Sequence, residues 1–350
     1  MGVLVRSKSP LRLGLAGGGT DVSPYCDRFG GYVLNATVDL YAHCTIEVID
    51  GGTEVAFAAV DLQERFSGPL QAAYELQGPM LLHKAIYNRV VREFNQGRAL
   101  PLRITTWADA PPGSGLGTSS TLVVCVLTAF RELLSLPLGE YDLAHLAYEI
   151  ERVDCGLAGG RQDQYAATFG GFNFMEFYAQ DRVIVNPLRI RRHIENELQS
   201  SLLLFFTGRS RESARIIDDQ VRSATADTGG GDGAIAAMHA VKQFALDMKE
   251  RLLRADIPGV QALFRDAWEA KKRMASSIST GEIDRLAEAA MQAGCRAVKI
   301  SGAGGGGFMM MFVDPTRRLE VMQALSGFPG QFHRFEFTHQ GAEAWTVKST

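Results

Sequence analysis

The run Pro111-Pro112-Gly113-Ser114-Gly115-Leu116-Gly117-Thr118-Ser119-Ser120 constrains this chain more than any other segment. A strand-like stretch, Leu102 to Trp107, precedes it, and the pattern of a buried helix, Ser120 to Leu134, follows. Glycine lets backbone N–H groups approach phosphate oxygens, because no Cβ intervenes. A helix N-terminus adds unpaired N–H donors and a partial positive charge. Thr118, Ser119 and Ser120 supply hydroxyls for phosphate, or for a phosphate-bound Mg²⁺. A tight turn with a hydroxyl cap accounts for some of these residues. It does not account for a double proline, three glycines and three hydroxyls together.

Two familiar nucleotide loops fail the comparison. A Walker A loop needs G-x-x-x-x-G-K-[ST], and no lysine follows these glycines. A dinucleotide fingerprint needs G-x-G-x-x-G, and its sixth position here is Thr118. A later cluster, Gly302 to Gly307, does match G-x-G-x-x-G. That fingerprint must open a helix, yet Phe308 to Val313 reads as a strand. A glycine turn between strands, packed against another loop, fits better. A third glycine cluster comes first in the chain: Leu15-Ala16-Gly17-Gly18-Gly19-Thr20-Asp21. Its glycines leave room for a bulky polar ligand beside the Asp21 carboxylate. A plain loop with an aspartate cap is the competing reading.

At 350 residues the chain suggests two lobes. A formal net charge of −3 gives no general attraction to nucleic acid or anionic membrane. The five cysteines are odd in number and form no C-x-x-C, which disfavours a disulfide framework or a zinc site. No apolar run reaches the ~18 residues of a membrane span, and a cytoplasmic protein is expected. Tyr32 to Val38 and Tyr41 to Ile49 read as strands. Pro79 to Phe94, Leu143 to Val153, Ile235 to Leu253 and Val260 to Met274 read as helices, and Thr225 to Gly233 as a mobile glycine-rich stretch. This interleaving implies α+β or α/β.

The three glycine motifs, in this order, resemble the superfamily of galactokinase, homoserine kinase, mevalonate kinase and phosphomevalonate kinase. The resemblance runs from Ser9 to Val313. The segment from Arg12 to Tyr25 is most similar to the branch phosphorylating sugars at the anomeric carbon, and within it to the heptose 7-phosphate kinases. Galactokinase carries Glu-His where this chain has Gly18-Gly19. The resemblance implies an α+β fold of two lobes, spanning 1–190 and 191–350. The first would hold a left-handed β-α-β crossover and the second would be ferredoxin-like. ATP and Mg²⁺ would bind between them. A homodimer stays open as an assembly.

Residue roles follow from the resemblance. Pro112 to Ser120 (Pro112, Gly113, Ser114, Gly115, Leu116, Gly117, Thr118, Ser119 and Ser120) would hold the triphosphate. Ser119 and Glu151 would hold Mg²⁺, and Glu149 points elsewhere on a helix. Asp163, in Gly160-Arg161-Gln162-Asp163-Gln164, matches the catalytic aspartate and would take or orient the sugar proton. Arg12 matches the basic residue that stabilises developing charge. Gly17, Gly18, Gly19, Thr20 and Asp21 would bind the sugar, with Asp21 accepting from its hydroxyls. If the sugar carries a distal phosphate, Arg209 and Arg211 are candidates to bind it. The expected partner is therefore a small sugar phosphate. An L-fucokinase or another sugar kinase is the nearest alternative. A silent sugar and ATP sensor, or a decarboxylase relative, is disfavoured by Arg12, Ser119, Glu151, Asp163 and the first motif.

Overall fold

The computed structural model describes residues 3–210, 213–225 and 231–348. Arg211 and most of the stretch read as mobile (residues 226–230) lie outside the described residues. Two sheets organise the rest. The first uses β1 (Leu4–Ala16), β2 (Gly31–Val48), β3 (Glu54–Ala59), β4 (Glu64–Pro69), β5 (Leu102–Ala108), β6 (Phe172–Phe177) and β7 (Val183–Pro187). The second uses β8 (Leu202–Phe206), β9 (Cys295–Ile300), β10 (Phe308–Val313) and β11 (Gln331–His333). A last strand, β12 (Glu343–Val347), returns to the first sheet and pairs antiparallel with β1.

The long strand β2 replaces the two strands expected from Tyr32 to Ile49. Its pairing with β1 slips between Pro10/Tyr41 and Leu11/Val38, so Asp39 and Leu40 form a bulge rather than a break. Glu336 stitches that bulge from outside, where its carbonyl accepts from Asp39 N at 2.9 Å. β3 and β5 pair in parallel, connected through β4 and the helix Leu81–Phe94. The second sheet runs β11-β8-β10-β9. With helices between β8 and β9 and between β10 and β11, this is the β-α-β-β-α-β order of a ferredoxin-like lobe. The two-lobed α+β architecture thus matches the expectation.

One core crosses the seam between the sheets. Leu11, Leu13, Leu34 and Phe172 from the first pack with Phe264, Phe308, Met310 and Phe312 from the second lobe. Every residue of β10 is buried, because the alternate set Met309, Met311 and Val313 faces a different cluster. Lys299 crosses the same seam as a polar link. Its ammonium donates to the Gly14 and Leu15 carbonyls of β1 at 2.5 and 2.9 Å. Below the seam the helix Thr118–Leu134 is buried along most of its length, including Val123, Val126, Leu127 and Phe130. Such a helix cannot tilt without opening the core, so its N-terminus is a fixed platform.

Candidate active site

The helix Thr118–Leu134 points its N-terminus into a cleft of about 680 Å³ between the lobes. Pro112, Gly113, Gly115, Gly117, Thr118, Ser119 and Ser120 line it, so most of the proposed phosphate loop faces one space. Ser114 and Leu116 do not line it. Ser114 is buried, and its carbonyl accepts from Phe308 N at 2.8 Å. The Leu116 carbonyl accepts from Arg12 N at 3.1 Å, and its side chain is in the core. These two residues dock the loop onto β10 and β1.

The late glycine cluster lies back to back with this loop, as the strand after it required. Gly115 has φ +84°, and a Cβ there would stand 2.4 Å from the Ser301 carbonyl oxygen. A Cβ on Gly302 would stand 2.8 Å from the Gly115 Cα. Backbone therefore touches backbone, and only glycine permits the approach. Gly302 and Ala303 line the opposite wall of the cleft.

Arg12 and Asp163 meet inside the cleft. Arg12 Nε and Nη2 donate to Asp163 Oδ1 at 2.7 and 2.6 Å, and Nη1 donates to the Gly115 carbonyl at 2.5 Å. The Arg12 side chain is only 4% exposed while that of Asp163 is 20% exposed. Oδ1 is thus engaged, and Asp163 lines the cleft. Asp163 abuts the phosphate loop, since a Cβ on Gly117 would stand 3.0 Å from its Cγ. A carboxylate, a guanidinium and a helix N-terminus converge here, as phosphoryl transfer needs.

Glu151 sits on a wide π turn, Ile150–Asp154, that extends the helix Glu140–Glu149. This turn, common at functional sites, carries Glu151 into the cleft while Glu149 pairs outward with Arg89 at 3.0 Å. The hydroxyl bonded to Glu151 is Ser120, at 2.6 Å, and Gln164 Nε2 donates to the same oxygen at 2.7 Å. Ser119 lies instead where the cleft meets a second cavity of about 500 Å³, walled by Met80, Leu81, Ala108 and Leu122. One carboxylate with nearby hydroxyls is a hard-oxygen donor set, which fits Mg²⁺ that keeps several waters.

The first glycine cluster divides by role. Gly19 and Asp21 line the cleft. Gly17 packs against the Tyr32 carbonyl, and Thr20 Oγ1 donates to the Gly17 and Tyr32 carbonyls at 2.8 and 2.9 Å. Both act as internal braces of the loop. Gly18 approaches the Lys271 ammonium. Asp21 accepts from Gly19 N, Arg161 N, Gln162 N and Gln162 Nε2 at 3.1, 3.0, 3.1 and 3.2 Å. Those four bonds use its carboxylate lone pairs. A sugar hydroxyl can bind Asp21 only where the Gln162 side chain yields its bond.

Arg209 does not reach the cleft. Its guanidinium pairs with Glu282 at 3.0 Å and lines a separate small recess with Thr280. The pairing satisfies its charge locally, and Ser210 is the residue of this segment that borders the cleft. Arg211 lies outside the described residues. Arg152 and Lys271 line the cleft without having been singled out from sequence. Lys271 had a readable signal. Phe264, Ala267, Trp268 and Lys271 follow one helical stripe, and all four are buried. Burial lowers the Lys271 pKa to about 8, opposed by Asp21 and Asp163 and reinforced by Arg12.

Comparison with known proteins agrees with this geometry. The family model described as the GHMP kinases N-terminal domain matches residues 81–171, and the GHMP kinases C-terminal model matches residues 248–329. A protein of Campylobacter jejuni named D-glycero-alpha-D-manno-heptose 7-phosphate kinase is 46% identical, over 98% of this chain and 99% of its own. A crystal structure titled as a D-glycero-D-manno-heptose 1-phosphate kinase from Bacteroides thetaiotaomicron superposes with a TM-score of 0.84. It is 46% identical, with coverage of 99% of this chain and 100% of that one. A bifunctional fucokinase/GDP-fucose pyrophosphorylase of Arabidopsis thaliana is 27% identical over 90% of this chain and 30% of its own. Among the described residues, no helix is long and apolar enough to cross a membrane. The chain belongs to the GHMP kinases, the family its three glycine motifs pointed to.

Proposed function

We propose that this protein is an ATP-dependent sugar kinase that phosphorylates the anomeric hydroxyl of D-glycero-D-manno-heptose 7-phosphate. The product is the 1,7-bisphosphate, a precursor of nucleotide-activated heptose for surface polysaccharide. One observation carries the chemistry: the Arg12–Asp163 pair abuts a glycine loop at a buried helix N-terminus. The 46% identity to a heptose 7-phosphate kinase over nearly both chains carries the substrate. The reaction would run in the cytoplasm, where ATP is made available.

The triphosphate would lie along Gly113, Gly115 and Gly117, which line the cleft, and the adjoining cavity beside Ser119 has room for the adenosine. Ser119 and Glu151 are the residues that would hold Mg²⁺, which supplies charge neutralisation for the transferring phosphoryl group. Ser120 and Gln164 orient Glu151. The anomeric hydroxyl gives its proton to Asp163 Oδ2 as its oxygen bonds to the γ-phosphorus, and ADP leaves. An anomeric hydroxyl is more acidic than an ordinary alcohol, so a carboxylate suffices as base. Arg12 holds Asp163 in place and offsets the growing negative charge. The lobes divide near residue 190 in this reading, with β12 returning to the first.

The split between the two serines is testable. Ser119→Ala should raise the Mg²⁺ concentration for half-maximal rate by about tenfold, with stability unchanged. Ser120→Ala should instead lower stability by about 2 kcal/mol, because it removes a buried hydrogen bond to a charged group. Mg²⁺ titrations and melting curves read both effects; the reverse pattern would make Ser120 the metal's hydroxyl. The function itself is tested by ADP release across heptose 7-phosphate, free heptose, L-fucose, galactose and mevalonate. Turnover confined to heptose 7-phosphate is expected. Turnover with L-fucose alone would overturn the substrate.

A further inference from the structure

Lys271 lies at the end of the helix Ile257–Lys272, in the second lobe, yet it is 3% exposed and borders the interlobe cleft. Its neighbour Lys272 behaves as an ordinary surface lysine and pairs with Glu269 at 2.8 Å. Taking an ammonium out of water costs several kcal/mol, so its retention calls for a physical reason. Among the described residues its one hydrogen bond goes to the Gly302 carbonyl, at 2.5 Å. An ammonium carries three donors, which leaves two.

A purely structural role does not account for those two donors. The Gly302 carbonyl needs one donor, which a neutral side chain could supply. Asp21, the nearest influence that favours the charged form, already holds four hydrogen bonds from other groups. The location is more informative. Gly302 lies against Gly115 of the phosphate loop, and Gly18 of the first motif lies against the Lys271 Nζ itself. Two glycine motifs therefore meet this nitrogen, and the third, the phosphate loop, packs on one of them. Arg12 and Asp163 are both close enough to influence its charge.

We infer that the Lys271 ammonium touches the reacting end of the substrate, donating to the attacking sugar oxygen and the phosphoryl group it receives, as a second cation beside Arg12. This rests on the kinase reading given above and adds to it a catalytic residue contributed by the second lobe. The distal phosphate is a poorer match, since it sits at the far end of a seven-carbon chain from the reacting oxygen.

The inference has a pH signature. Four charged groups surround the ammonium: Asp21 from the first loop, Arg12 from β1, Asp163 from the helix Gln162–Phe169, and Lys299 from β9. Burial dominates and lowers the Lys271 pKa to about 8. The active form is protonated, so kcat/KM, which reports the free enzyme, should hold below that pH and fall as pH rises through it. Lys271→Arg keeps a charge throughout and should lose this limb.

The experiment uses the purified full-length chain with heptose 7-phosphate and MgATP, from about pH 6 to about pH 9.5. Lys271→Met is expected to lower kcat by about 10²-fold, with ATP affinity within about threefold of wild type and no lower melting temperature. The wild type should show the alkaline limb, and residual Lys271→Met activity should not. A Lys271→Met enzyme with kcat within about threefold of wild type overturns the inference. So does a wild-type kcat/KM that stays flat to about pH 9.5, a result that is readable even if Lys271→Met does not fold. Absence of wild-type turnover would instead sink the functional reading, so the two failures are distinct.

Discussion

Asp163→Asn lowers kcat by about 10³-fold and leaves the dissociation constant for ATP within about twofold. The expectation follows from how the two carboxylate oxygens are used. Oδ1 is bound by Arg12 Nε and Nη2 at 2.7 and 2.6 Å, and an asparagine oxygen in the same place can still accept from the guanidinium. Oδ2 is the atom left to take the sugar proton, and an amide nitrogen there cannot do so. The proposed ATP contacts lie along Gly113, Gly115 and Gly117, and asparagine keeps the shape of aspartate against Gly117. Single-turnover kinetics with ATP binding by calorimetry separate the two effects. A variant with kcat within about tenfold of wild type would remove Asp163 as the base. A melting curve guards against unfolding, because Arg12 is buried and depends on its carboxylate partner.

Gly115→Ala destabilises the protein by about 3 kcal/mol or more and weakens ATP binding with it. Two costs combine at this position. The backbone is left-handed, with φ +84°, and the new Cβ would stand 2.4 Å from the Ser301 carbonyl oxygen. Ser301 cannot retreat easily, since its own N–H is bonded to the Phe308 carbonyl at 2.8 Å. Gly97→Ala separates these costs. Gly97 has φ +71° but nothing within 4 Å of the Cβ position, so it carries the backbone cost alone, about 1 kcal/mol. Denaturant unfolding of both variants gives the comparison. Equal destabilisation would mean that the close packing of the two glycine loops contributes nothing.

Much of this site was readable in the sequence, for a physical reason. A loop that must bring backbone against phosphate, or against another loop, has few residue choices, and the glycines at 113, 115, 117, 302 and 304 to 307 stand out in the sequence. The strand pattern of Phe308 to Val313 likewise rules out the dinucleotide fold, and the segment is β10. What escaped was direction. Ser114 and Leu116 lie within the same loop as their neighbours but turn into the protein. Arg209 has the right charge and lies next to the right strand, but Glu282, distant in sequence, takes its charge away from the cleft. The Ser120–Glu151 bond depends on a π turn that shifts the helical phase, which no regular periodicity foretells. Lys271 was readable from the buried stripe it shares with Phe264, Ala267 and Trp268, but its Lys-Lys-Arg run reads first as a solvated helix end.

The position of the transferred phosphate tests the central claim most directly. Heptose 7-phosphate, MgATP and enzyme are incubated, and the sugar product is examined by ³¹P NMR coupled to the anomeric proton. The account predicts one new phosphorus signal coupled to that proton, alongside the unchanged signal of the 7-phosphate, with ADP formed in equal amount. A new phosphate on any other carbon, or ADP formed without a doubly phosphorylated sugar, would contradict it.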